Sequence, residues 1–128
     1  MSLFTMQVKA EAKGNHVNNV TYLEYLELAR KELYARCISH GVEAMVANIN
    51  ADYKREVFHQ EKLTINSTIE KVGNTSITLK QEMHTENGDL AVSATVILVT
   101  VNQKSRQKVR VPDGIRELTK RNIIHANS

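Results

Sequence analysis

The sequence predicts an α+β domain in which about five strands of antiparallel sheet wrap around one long central helix. Three observations carry that prediction. The opening residues alternate apolar and polar, one stretch in the first third has helical spacing, and nearly everything after it is β-patterned and punctuated by turn signals. At 128 residues the chain is expected to form one domain, 1–128, large enough for one core and too short for two.

Phe4, Met6, Val8, Ala10 and Ala12 alternate with Thr5, Gln7, Lys9 and Glu11, which predicts a first strand with one buried face. Gly14-Asn15 breaks the alternation, and a polar loop runs through His16 and Asn18-Asn19. Tyr22, Leu26, Ala29, Leu33 and Cys37 then draw one apolar stripe along a single helix of about twenty residues. Asn18 or Asn19 is its expected N-cap, Gly41 its stop signal, and Glu27 with Lys31 a favourably oriented i,i+4 pair. Met45 to Tyr53 reads as extended. Leu63, Ile65 and Ser67 alternate with Thr64, Asn66 and Thr68, and Gly73-Asn74 turns the chain into a strand from Ser76 to Met83. Asn87-Gly88 has the composition of a two-residue hairpin turn with positive φ at both central residues. Leu90 to Val101 is nearly continuous in hydrophobicity, so cover on both faces is expected, one face by the helix and the other by a second copy of the chain. Pro112-Asp113-Gly114 closes the sheet region, and Ile115 to Arg121 forms a short terminal helix.

Composition narrows the function. Aromatic residues make up only 5% of the chain and Trp is absent, so the core must be aliphatic. The net charge of +3 is dispersed; its densest stretch, Lys104, Arg106, Lys108 and Arg110, reads as a solvated strand edge, and no nucleic-acid partner is expected. Cys37 is the single cysteine, and His16, His40, His59, His84 and His125 lack metal-ligand spacing, so neither a disulfide nor a metal site is expected. No run is long enough to span a membrane, and Met1 to Thr5 lacks a signal-peptide pattern, which points to the cytoplasm and away from a membrane partner.

The segment Gly14-Asn15-His16-Val17-Asn18-Asn19-Val20-Thr21-Tyr22, followed by Glu24, Glu27 and Ala29-Arg30, resembles the signature of the 4-hydroxybenzoyl-CoA thioesterase-like hotdog family. Tyr53-Lys54-Arg55-Glu56-Val57, Glu61-Lys62-Leu63 and Ile69 through Ser76 extend the likeness, and Val101 through Pro112 resembles the family's ending. The resemblance implies a hotdog fold, a homodimer or homotetramer with active sites at the subunit interface, and hydrolysis of an acyl-CoA or acyl-carrier-protein thioester without a bound cofactor. It places the site at the N-terminus of the long helix, with the Asn19 amide as oxyanion donor and Asn15, His16 and Asn18 around it. Tyr22, Lys54, Arg55 and Lys62 are the expected substrate contacts.

The chain departs from the family where an acid usually stands four residues before the histidine. That position is Ala12. Glu11 is adjacent, but strand alternation would aim it at the opposite face. Glu27 on the helix and a carboxylate-free route are the preferred replacements. The competing expectation is a protein that binds acyl thioesters without turning them over. Structural readings stand beside the functional ones: His16 as a loop-bonding histidine, Asn18 as a cap alone, Glu27 as the partner of Lys31, Cys37 as a buried thiol.

Overall fold

The computed structural model describes residues 4–126, with side chains through Thr119. Residues 1–3, part of the segment read as lacking a leader pattern, and the His125 side chain lie outside that description. The elements are β1 (Phe4–Lys9), α1 (Asn19–Ala29), α2 (Lys31–Ser39), β2 (Val42–Tyr53), β3 (Lys62–Val72), β4 (Ser76–Thr85), β5 (Leu90–Asn102) and α3 (Asp113–Ala126). The strands form one antiparallel sheet in the order β1-β3-β4-β5-β2. Register aligns Met6, Ile65, Met83, Val92 and Tyr53 across all five strands on the face that receives the helix. This is the hotdog arrangement, with the sheet as bun and α1–α2 as filling.

The expected apolar stripe is the buried face of the helical region: Tyr22, Leu26, Ala29, Leu33 and Cys37 are all buried. Leu26 and Leu33 are fully enclosed, and truncating either to Ala removes about 2–5 kcal/mol. Asn18 is the N-cap, its Oδ1 accepting from the Thr21 N–H at 3.1 Å, and Gly41 takes the positive φ of 86° that ends the helix.

The single helix expected from periodicity is instead bent at Arg30, between α1 and α2. The cause lies across the core. Gln81 Nε2 donates to the Leu26 carbonyl at 3.0 Å, taking the acceptor that the Arg30 N–H would use in an unbroken helix. The Arg30 N–H bonds the Glu27 carbonyl instead, also at 3.0 Å. The Arg30 side chain, only 3% exposed, reaches Gln81 Oε1 at 3.1 Å and Tyr34 Oη at 2.8 Å. The expected Glu27–Lys31 pair does not form across this break; among the described residues, the helical i,i+4 pair is Glu32 with Arg36.

Four other expectations are corrected. β1 stops at Lys9 rather than Ala12, because the following backbone turns to bond the 60–61 segment (Ala10 N–H to the Glu61 carbonyl at 2.8 Å, Gln60 N–H to the Ala10 carbonyl at 2.6 Å). The β4–β5 turn has Glu86 and Asn87 at its centre and positive φ only at Gly88, with Gly88 N–H bonding the Thr85 carbonyl at 2.9 Å; a longer hairpin loop with a glycine in the left-handed region replaces the two-residue form. β5 is not among these: Ala94, Val96 and Leu98 are buried while Thr95, Ile97 and Val99 are half-buried, which leaves open the face for which cover by a second copy is expected. The basic stretch turns rather than running as a strand edge: Arg106 has φ of 62° and pairs with Glu43, and Arg110 pairs with Asp113 at 2.8 Å. The terminal helix is longer than expected, beginning at Asp113 and reaching Ala126. No helix among the described residues is long and apolar enough to cross a membrane.

Candidate active site at the N-terminus of the central helix

Helix α1 begins in a loop strapped to the segment that leads from β2 to β3. Val17 N–H donates to the Val57 carbonyl at 2.8 Å, Val57 N–H donates to Tyr22 Oη at 2.9 Å, and His16 forms an isolated bridge with Phe58. These bonds hold the loop residues while the polar side chains of Asn15, His16 and Asn18 remain exposed. Burial of Tyr22 raises its phenol above the ordinary value, against the lowering effect of the Val57 N–H, so the hydroxyl is a neutral structural acceptor. The Tyr22 ring lies 5.4 Å from that of Tyr53, whose hydroxyl donates to Asn19 Oδ1.

With Asn18 capping Thr21, the N–H groups of Asn19 and Val20 have no acceptor among the described residues. They stand at the positive end of the α1 dipole, where unpaired N–H groups favour an anion. Beside them is an open pocket of about 570 Å³, bordered by Glu11, Ala12, Asn18, Thr21, Glu24 and His59 among others. Glu11 borders it together with Ala12, contrary to the alternation argument, because both lie beyond the end of β1. His59 was not singled out by spacing: its Nδ1 accepts the Ala12 N–H at 3.0 Å across 47 residues of sequence, a contact no local pattern encodes. Glu24 stands in the signature stretch but off the apolar stripe, and the sequence offers Glu27 rather than Glu24 as the helix carboxylate.

The expected residues divide. Asn18 borders the pocket, and Asn19 supplies the unpaired amide next to it. Glu27 is exposed and outside that lining. Arg55 is committed to Glu61 and Asp89, at 3.2 Å each, while Lys54 is exposed at the end of β2. Lys62 lies opposite Lys9 in the β1–β3 register and borders a separate recess with Gln7 and Thr64. Cys37 is buried and its thiol is pushed up to about 11, which makes it inert as a nucleophile near neutral pH. Among the described residues no group of His, Cys, Asp and Glu is arranged to hold a metal ion.

A five-stranded antiparallel sheet wrapped around a long bent helix defines the chain as a hotdog-fold protein. The chain belongs to the thioesterase-like superfamily, whose sequence model matches residues 12–118, and thioester hydrolysis is the enzyme class that membership gives it. It is 28% identical over 125 residues to the long-chain acyl-CoA thioesterase FadM of Escherichia coli K12, across 88% of this chain and 95% of that protein. Among solved structures it is similar to YbaW, a probable thioesterase of Escherichia coli, with a TM-score of 0.79 and 26% identity over 94% of this chain and 98% of that one. The DHNA-CoA thioesterase of Staphylococcus aureus shares the fold, with a TM-score of 0.80 at 21% identity over 97% of this chain and 93% of that one.

Proposed function

We propose that the chain hydrolyses an acyl-CoA, or an acyl-carrier-protein thioester with the same pantetheine linkage, and that the N-terminus of α1 activates the carbonyl. The observation that carries this reading is the pair of unsatisfied amides, Asn19 and Val20, beside an open pocket. The thioester oxygen accepts from them as the carbonyl carbon becomes tetrahedral. A preorganised donor is worth about 10²–10³ in kcat because it is already aimed when charge develops. Of the expected polar residues, Asn18 borders the pocket, while Asn15 and His16 lie in the exposed loop before it, outside the lining. The likeness to FadM, named as a long-chain acyl-CoA thioesterase, supports an acyl-CoA substrate.

The reading includes a homo-oligomer. β2 is an edge strand whose middle is exposed on both faces, with Met45, Val46, Ile49 and Tyr53 open to solvent. Such an edge invites pairing with another strand, and a second copy laid along it brings more surface to the neighbourhood of Tyr53 and Asn19. Sedimentation or light scattering of the purified chain checks this: a dimer or tetramer is expected.

Asn19→Pro tests the mechanism cleanly. Asn19 is the first helical position after the Asn18 cap, where proline is well tolerated, so the variant deletes one donor while keeping the helix start. Against a panel of short, medium, long and aromatic acyl-CoAs and an acyl-carrier-protein thioester, kcat should fall about 10²-fold in Asn19→Pro relative to Asn19→Ala, which keeps the amide. Equal activity in the two variants overturns the amide's role. Ala12 favours a second reading, a protein that binds acyl thioesters without turnover, because that position supplies no acid. Measurable acyl-CoA binding with no turnover across the panel would establish it.

A further inference from the structure

The pocket beside the helix N-terminus has charged and titratable neighbours from three separate parts of the chain. Glu11 and Lys13 come from the segment after β1, Glu24 from α1, and His59 from the connection between β2 and β3. Two of these are held in ways that specify chemistry. His59 Nδ1 accepts the Ala12 N–H at 3.0 Å, which fixes the neutral ring as the Nε2–H tautomer. In that form the free nitrogen is a donor, not a base. Any proton acceptor for an attacking water must therefore be a carboxylate.

Two carboxylates border the pocket, Glu11 and Glu24. Glu11 lies in irregular chain beyond β1, tied down by its backbone N–H to Tyr25 Oη at 3.0 Å. Glu24 stands on α1, one turn past Val20 and in the same pocket lining as Val20 and Thr21. Helical side chains lean toward the N-terminus, over the preceding turn. The Glu24 carboxylate is thus carried on a rigid element toward the Asn19 and Val20 amides. Glu27, one turn nearer the bend, lies outside the lining.

We infer that the water attacking the thioester is held in this pocket between Glu24, the general base, and the Nε2–H of His59, a positioning donor. The inference rests on the proposed thioester hydrolysis. The water oxygen accepts from His59 and one of its hydrogens is directed at Glu24. As the oxygen bonds to the acyl carbon, its O–H bond breaks and the proton passes to Glu24, while the carbonyl electron pair moves to the oxygen facing the amides. When that pair returns, the C–S bond breaks and the leaving thiolate takes the proton from Glu24. One water is consumed, and one carboxylic acid and one thiol are formed. No oxidant or reductant is needed. Ala12, as a methyl group, leaves room beside the imidazole it tethers.

The test compares the purified wild-type chain with Glu24→Gln, Glu24→Ala, Glu27→Gln, His59→Leu and His59→Gln on the best acyl-CoA of the panel, each variant checked for folding by circular dichroism. Glu24→Gln should lose about 10²-fold or more in kcat with KM nearly unchanged. Added formate should restore part of the activity of Glu24→Ala, a rescue that a structural defect would not show. The double variant Ala12→Asp with Glu24→Gln, which returns a carboxylate to the same pocket, should recover activity over Glu24→Gln alone. His59→Leu should lose about tenfold, and His59→Gln, which keeps an N–H donor, should lose less. Turnover by the wild-type chain with more than half of kcat retained in Glu24→Gln overturns the inference and leaves the hydrolase reading standing; so does collapse in Glu27→Gln alone. No turnover by the wild-type chain on any acyl-CoA overturns both.

Discussion

The two ends of α1 carry polar groups in opposite states. At the bend, the polar side chains bond one another inside the protein: Arg30 bonds Gln81 and Tyr34, and Gln81 bonds Leu26 and Ser67, without a carboxylate in the network. At the N-terminus, the cap satisfies Thr21 and leaves the Asn19 and Val20 N–H groups without an acceptor among the described residues, next to a pocket that Asn18, Val20 and Thr21 border. A closed network fixes the shape of a core, because each lost partner strands a buried polar group. An open one is available for a ligand. The helix is anchored at one end so that its other end can stay unsatisfied.

The largest expected effect breaks the closed end. Gln81→Ala leaves Arg30 Nη1 and the Leu26 carbonyl without their partners in the core, with only Tyr34 still bonding the guanidinium, and should cost about 3 kcal/mol in urea unfolding. Arg30→Met with Gln81→Leu removes the polar groups together and should recover much of that loss, since apolar groups of similar size replace a buried network nearly neutrally. If the double variant is as unstable as Gln81→Ala, the network contributes more than mutual satisfaction.

A smaller effect is expected at the open end. Asn18→Ala removes the bond to the Thr21 N–H and should cost about 1 kcal/mol in stability while fraying the first turn. Its diagnostic feature is a fall in kcat disproportionate to the stability change, whereas Gln81→Ala, assayed where it remains folded, should act on stability more than on turnover. Activity and stability falling in the same proportion in both variants would erase the distinction between the two ends.

The smallest effect comes from Cys37, two residues before the end of α2. Burial raises its thiol from 9.0 to about 11. The folded chain therefore keeps the proton at pH values where the unfolded chain releases it. The associated stability is complete below about pH 9 and is lost as pH rises toward 11. Cys37→Ala should flatten that alkaline slope, measured as urea midpoints across the range, and leave neutral-pH turnover to the groups at the other end of the helix.

Much of the scaffold was legible because it is local. Apolar steps of three and four marked the buried face of α1–α2 from Tyr22 to Cys37, and alternation marked the inward residues Leu63, Ile65 and Ser67 of β3. Asn18 and Gly41 were readable as cap and stop because each satisfies a backbone need within a few residues of itself. The bend was not readable. It depends on Gln81, 55 residues beyond the Leu26 carbonyl it captures, and an amide side chain in an alternating strand carries no mark of which backbone group it will meet.

The site divides along the same line. By itself the sequence determined the helix N-terminus, its cap and the unpaired amides after it, since these follow from the start of any helix. The resemblance carried by the loop motif from Asn15 to Tyr22 is what proposes that start as the place for thioester chemistry. Only the tertiary structure decided which ionisable groups share the pocket. It ended β1 early enough to bring Glu11 to the same lining as Ala12, and it set His59 against the Ala12 amide from 47 residues away. Backbone hydrogen bonding near in sequence fixes where a helix starts; the closure of the sheet around that helix fixes what stands beside it.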